Sequence, residues 1–172
     1  MKLNIIEKDV LNPLGETAGD KIYLTPIKSN IRNISYLDNT KPNADLILDT
    51  IQEELKKLNN IRIIKPAGAS ASDEAIQKAC ESDLAFLAVG DCGSCSTWVI
   101  LDAIRLEKVG IPTISICSRK FSDFARMLAE SHGAYGLRIL EVDHPIAGAD
   151  EDEIILKVQN IIPEIKKITK MK

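Results

Sequence analysis

The stretch Asp83-Leu84-Ala85-Phe86-Leu87-Ala88-Val89-Gly90, running straight into Asp91-Cys92-Gly93-Ser94-Cys95-Ser96-Thr97, decides how this chain is read. Its first half is an unbroken apolar run ended by glycine, the pattern of a strand buried on both faces. Residues 97–109 read as an apolar helix with a narrow polar strip of Asp102, Arg105 and Lys108, stopped by Gly110. The two thiols thus fall on the turn between a strand's carboxyl end and a helix's amino end. Unpaired backbone N–H groups and the helix dipole favour an anion there, and a cysteine in such a turn tends toward the thiolate.

The same alternation repeats on either side of this unit. Residues 34–37 form a first strand, and Asn43 is placed to cap a helix carrying Leu48, Ile51, Leu55 and Leu58 at helical spacing. Residues 61–64 form a second strand, followed by a small-residue loop and a short helix opened by Ser72 or Asp73, with Ile76, Ala79 and Cys80 on one face. Residues 112–116 form a fourth strand and lead to a helix bearing Phe121, Phe124, Ala125 and Leu128. A fifth strand, 137–142, ends at Asp143-His144-Pro145. The last helix carries Ile154, Val158, Ile161, Ile165 and Ile168. Acidic residues lead it and lysines trail it, and Pro163 predicts a kink or split.

Five strand–helix units in succession imply one α/β domain with a doubly wound, parallel five-stranded sheet in the flavodoxin-like order 2-1-3-4-5. That order places the switch point, where ligands bind, between strands one and three, beyond their carboxyl ends. These two strands end in residues 38–41 and 90–96. Residues 1–33 stand outside the alternation as an N-terminal extension packed on the 34–172 domain, with 21–25 read as an edge strand.

With 172 residues the chain is long enough to bury one core. Its 45% hydrophobic and 27% charged residues fit a soluble globular protein, and a net charge of −3 argues against nucleic-acid binding. Residues 1–9 lack the apolar core of a signal peptide, and no window reaches membrane-spanning length. The expected location is the cytoplasm, where a close cysteine pair is catalytic or metal-binding rather than a structural staple.

Cys92 reads as the attacking thiolate and Cys95 as the resolving thiol. Gly93 and Ser94 keep the turn small, and Ser96 or Thr97 reads as the helix N-cap. Asp91 reads equally as a proton acceptor or as a tether of the turn. Lys41, near a helix start, suits an anionic partner, with Asp38, Asn39 and Thr40 beside it to orient it or bind a polar ligand. Cys117, followed by Ser118, closes strand four as a third thiol in the pocket or as a buried side chain. His144 is the candidate acid or base, whereas the helix dipole accounts for His132. Trp98 reads as packing and Cys80 as a buried hydrophobe. A closed zinc site needs four ligands, and no second close cysteine pair exists, so no metal is expected. The sequence calls for no cofactor beyond an external thiol or thioredoxin-type reductant.

The motif Gly90-Asp91-Cys92-Gly93-Ser94-Cys95-Ser96 resembles that of the UGSC family, named for selenocysteine-Gly-Ser-Cys. The likeness extends through Leu11-Asn12-Pro13, residues 38–45, residues 106–113 and His144-Pro145. A more distant similarity is to the selenoprotein B components of glycine- and betaine-type reductases. The resemblance implies that Cys92 stands where some members carry selenocysteine, and is the redox-active nucleophile. The chain departs from that pattern in using sulfur and in having no further cysteine just after Cys95. The expected function is a thiol-dependent oxidoreductase or reductive-cleavage enzyme acting on a small polar substrate. The alternatives are a non-redox lyase or hydrolase and a non-catalytic ligand- or metal-binding subunit. A homodimer is expected because a helix as apolar as 97–109 is either deeply buried or part of a subunit interface.

Overall fold

A computed structural model describes residues 21–55 and 58–170. The Leu11-Asn12-Pro13 stretch and most of the predicted N-terminal extension lie outside the described residues. The order is β1 (Asn33–Asp38), α1 (Ala44–Glu54), β2 (Asn59–Ile64), α2 (Asp73–Ala79), β3 (Leu84–Gly90), α3 (Gly93–Lys108), β4 (Thr113–Ser118), α4 (Arg119–Ser131), β5 (Ile139–Val142) and α5 (Glu151–Thr169). The five strands form one parallel sheet ordered β2-β1-β3-β4-β5, the predicted flavodoxin-like topology. Helices α1 and α5 cover one face and α2, α3 and α4 the other. Central β3 is buried at every residue, which is why it reads as an unbroken apolar run. Its pairing with β4 shifts register between Ala88 and Gly90, just before the cysteines.

Several local expectations are corrected. Helix α3 begins at Gly93, four residues earlier than predicted, because the Cys92 sulfur rather than a Ser96 or Thr97 hydroxyl takes the N-cap role. Asn43 holds the N-cap position of α1, but in the left-handed conformation (φ 67°) and with no side-chain cap. Its amide instead donates to Ile146 O (2.8 Å) and Ala149 O (3.0 Å). Helix α1 ends at Glu54, so Leu58 packs on the core from outside it. Cys80 is exposed at the C-cap of α2. Pro163 does not split α5, because Pro163 and Gln159, whose carbonyl loses its partner, both face water.

Residues 21–25 form no strand. They run as a strap tied by Ile22 N–H to Gly133 O (2.9 Å) and by Thr25 N–H to the Glu107 carboxylate (2.6 Å). Arg138 donates to Thr25 O (2.6 Å) and pairs with Glu107 (2.9 Å), which also accepts from Thr113 N–H (2.7 Å).

The polar strip predicted for α3 is not a solvated face. Asp102 is fully buried and pairs with Lys65, itself 3% exposed just past β2. Asp102 also accepts from Ala71 N–H (3.0 Å), Ser70 Oγ (3.0 Å) and Arg105 (3.4 Å). The apolar side of α3 (Val99, Ile100, Ala103, Ile104 and Leu106) is buried within its own subunit, so its apolarity needs no partner copy. No helix among the described residues is long and apolar enough to cross a membrane.

Replacing Lys65 by Met leaves the buried Asp102 carboxylate with the more distant, partly exposed Arg105 as its remaining cation. The expected cost is about 3 kcal/mol, seen as a lower urea midpoint at unchanged slope.

Candidate functional site

Helix α3 starts where β3 ends, so the cysteine motif forms its first turn at the carboxyl rim of the sheet. Cys92 has an extended backbone (φ −159°, ψ 168°), and its sulfur accepts the Cys95 N–H at 3.2 Å. Cys92 and Cys95 are paired as a disulfide, with Cα atoms 5.2 Å apart. Cys92 is half-buried, whereas Cys95 is 1% exposed on the inner side of the helix. Ser94 Oγ lies 3.5 Å from the Cys92 sulfur, and Gly93 faces open space. No acidic residue stands within the first turn of α3; the nearest carboxylate, Asp91 just before it, is turned to the β5 loop.

The loop after β1 is locked to the same place. Asn39 Nδ2 donates to Val89 O (2.9 Å), Val89 N–H donates to Asn39 Oδ1 (3.0 Å), and Asn39 N–H donates to Ala88 O (3.0 Å). Asp38 accepts from Thr40 N–H (2.8 Å) and lies 3.5 Å from Arg62; burial raises its carboxyl pKa, opposed by both partners. Asp38 and Asn39, expected to meet a ligand, are buried internal braces instead. Thr40 is exposed. Lys41 is half-buried, and its ammonium has no hydrogen bond or ion pair among the described residues.

The β5 loop closes the other side. Asp91 Oδ1 bonds His144 Nδ1 (3.1 Å), and Asp91 Oδ2 accepts from Ala147 N–H (2.9 Å). Asp91 thus ties down the neighbouring loop rather than its own turn. The exposed His144 ring stands edge-on to Phe121, with centroids 6.4 Å apart.

Ser96, Cys117 and Ser118 do not reach the rim. All three are fully buried, and the Ser96 and Ser118 hydroxyls have no partner among the described residues. Burial pushes the Cys117 thiol up to about 12, against a Gly90 backbone hydrogen bond and Arg126, which favour the thiolate. The Ser96 hydroxyl and Cys117 sulfur crowd Gly90 so closely that a Cβ there would lie 2.8 Å from one and 2.6 Å from the other. Thr97 is half-buried, and its hydroxyl donates back to Gly93 O (2.8 Å). Trp98 is half-buried and His132 is the C-cap of α4, as the dipole reading has it.

Cys92, Gly93, Ser94, Thr40, Lys41 and His144 therefore remain toward solvent, and the rest of the predicted set forms their support. Among the described residues no cluster of three or more His, Cys, Asp or Glu side chains is arranged to hold a metal ion. A charged cleft of about 340 Å³ lies elsewhere, along the open edge of β5, lined by residues that include Arg119, Arg126, Glu141 and Lys157. Its arginines are spent on Glu141 and Asp143. That pattern suits the shielding of an edge strand.

The UGSC family model matches residues 9–171, nearly the whole chain. The chain belongs to the UGSC family. No curated protein matches it. The match spans all ten elements of this UGSC protein, including the cysteine turn and both loops that flank it.

Two outcomes test this geometry. Gly90→Ala forces a methyl into Cys117 and the first turn of α3, and is expected to lower stability by about 2 kcal/mol in chemical unfolding. Cys117 keeps its proton in the folded state from 9.0 to about 12 while the unfolded chain loses it, so stability falls as pH rises through that window. Unfolding measured across that range should show a shallower fall for Cys117→Ala.

Proposed function

We propose that this UGSC protein is a thiol-dependent oxidoreductase that reductively cleaves a small polar substrate. The carrying observation is the Cys92 sulfur at the N-cap of a sixteen-residue helix, on the rim at the switch point, with Cys95 in bonding reach behind it. The N–H groups of the first turn stabilise the Cys92 thiolate. That thiolate attacks a sulfur, selenium or electrophilic carbon of the substrate and displaces a leaving anion, which takes up a proton. Cys95, deprotonated as it attacks, then strikes the Cys92 sulfur. The bond to the substrate breaks, its electron pair leaves with the substrate fragment, and the two cysteines are left as the disulfide. The substrate gains two electrons, and an external dithiol, of small-molecule or thioredoxin type, returns them to the protein.

The unequal exposure of the two thiols supports unequal roles. A half-buried sulfur can meet a visiting molecule, whereas one that is 1% exposed can only meet its neighbour. Cys92 therefore attacks and Cys95 resolves.

Alkylation rate against pH, measured on the reduced parent, Cys92→Ser and Cys95→Ser, tests the assignment. The expected result is a fast-reacting thiol titrating well below the free-cysteine value of about 8.5, lost in Cys92→Ser and kept in Cys95→Ser. A Cys92 that reacts like a free thiol overturns it. With a substrate in hand, one disulfide per turnover in the absence of reductant marks reductive cleavage. Turnover with both thiols still reduced marks a lyase instead.

A further inference from the structure

The pairing of Asp91 with His144 goes unexplained if Asp91 only braces a turn. Both carboxylate oxygens are engaged across 53 and 56 residues of sequence, one on the imidazole and one on the Ala147 N–H. The first bond engages Nδ1 and leaves Nε2 without a hydrogen bond among the described residues. A second contact, the edge of Phe121, limits the ring's rotation. The carboxylate is nearly sealed at 7% side-chain exposure, while the imidazole reaches solvent at 36%. Asp91 is covalently next to Cys92, so the imidazole is tethered one residue from the attacking sulfur. Among the described residues the Cys92 sulfur meets the Cys95 N–H and the Ser94 hydroxyl rather than the imidazole, which leaves the ring to the group displaced from the substrate.

We infer that His144 is the general acid that protonates the anion leaving during attack by Cys92, and that Asp91 is the positioning residue that aims it. The inference rests on the proposed role of Cys92 and deepens it. In the step, the Cys92 thiolate forms a bond to the substrate atom while the bond to the leaving group breaks. The departing anion takes the Nε2 proton of the imidazolium, whose Nδ1–H stays bonded to Asp91 Oδ1. The neutral imidazole recovers a proton from solvent through its exposed edge.

The charged groups around the ring are few. Asp91 faces it from the β3–α3 turn. Asp143, beside it in the chain, is held by Arg119 of α4 (3.0 Å). Lys157 of α5 is turned to Pro145 O (2.7 Å) and Glu153 (2.6 Å). Asp91 is the carboxylate that touches the imidazole. Among the described residues Lys41 has no comparable partner to aim it, and the acid role falls to His144.

The test separates leaving-group assistance from nucleophile activation. Reduced protein is reacted with two model disulfides, hydroxyethyl disulfide and dithiobis-nitrobenzoate. The aliphatic thiolate leaves poorly and needs a proton, whereas the aromatic one leaves unaided. His144→Gln is expected to slow the aliphatic reaction by about 10²-fold and to change the aromatic reaction and Cys92 alkylation by less than about twofold. Asp91→Asn is expected to slow the aliphatic reaction by about tenfold, with partial recovery in Asp91→Glu and with added free imidazole rescuing His144→Gln. Equal slowing of both disulfides, or of neither, by His144→Gln overturns the acid role. A parent Cys92 that alkylates like a free thiol would instead overturn the proposed function, and that result is read independently of the leaving-group ratio.

Discussion

The reciprocal pair between the Asn39 carboxamide and the backbone of Val89 is the contact on which the rim of this protein depends. Strand β1 pairs with β3 only as far as Asp38 and Ala88, so the ladder does not reach Val89 in the ordinary way. Val89 is fully buried, and an unpaired N–H or C=O there would cost about 1–3 kcal/mol each. Asn39 supplies one donor and one acceptor at the spacing of a neighbouring strand, and so extends the β1–β3 ladder by one residue with a side chain. The chain can then leave the sheet at Gly90 and enter α3 with its first turn facing the switch point.

The other rim contacts build outward from that junction. Gly90 lets the first turn of α3 settle against Cys117 of β4, Asp91 takes hold of the β5 loop, and Asn43 ties that same loop back to the start of α1. The loops after β1, β3 and β5 are thereby joined to one another. Most of these bonds join a side chain to backbone, whereas the Asp91–His144 bond joins two ionisable side chains. A sulfur held in such a frame keeps its place relative to the helix N–H groups, and under the role proposed for it a fixed dipole aimed at a fixed atom needs no reorganisation.

Charge inside the protein serves a different end. Asp102 and Glu107 sit on the buried side of α3, and each is met by a cation and by backbone N–H groups: Lys65 with Ala71, Arg138 with Thr113 and Thr25. These clusters pin α3 at two points along its length to the loop after β2, to β4 and to the strap at 21–25. Local spacing did not reveal them. Asp102, Arg105 and Lys108 recur at helical intervals and look like a solvated strip, because spacing reports which residues share a face but not what covers it. Lys65 carries no mark in the sequence beyond following an apolar strand.

The sequence by itself determined the alternation of strands and helices, the parallel sheet, the strand order and the position of Cys92 and Cys95 at a strand–helix junction. Each follows from apolar periodicity and chain connectivity, which are local or nearly so. It misplaced the start of α3, because a cysteine was not expected to cap a helix ahead of a serine or threonine. It also grouped Asp38, Asn39, Ser96, Cys117 and Ser118 with the rim residues, since closeness along the chain does not say which side of a turn faces water. Only the tertiary structure decided that these five are buried, that Asp91 reaches His144 across 53 residues, and that Asn39 completes the ladder at Val89. Such contacts join groups far apart in sequence, and their partners are fixed by how strand ends meet rather than by any spacing along one element.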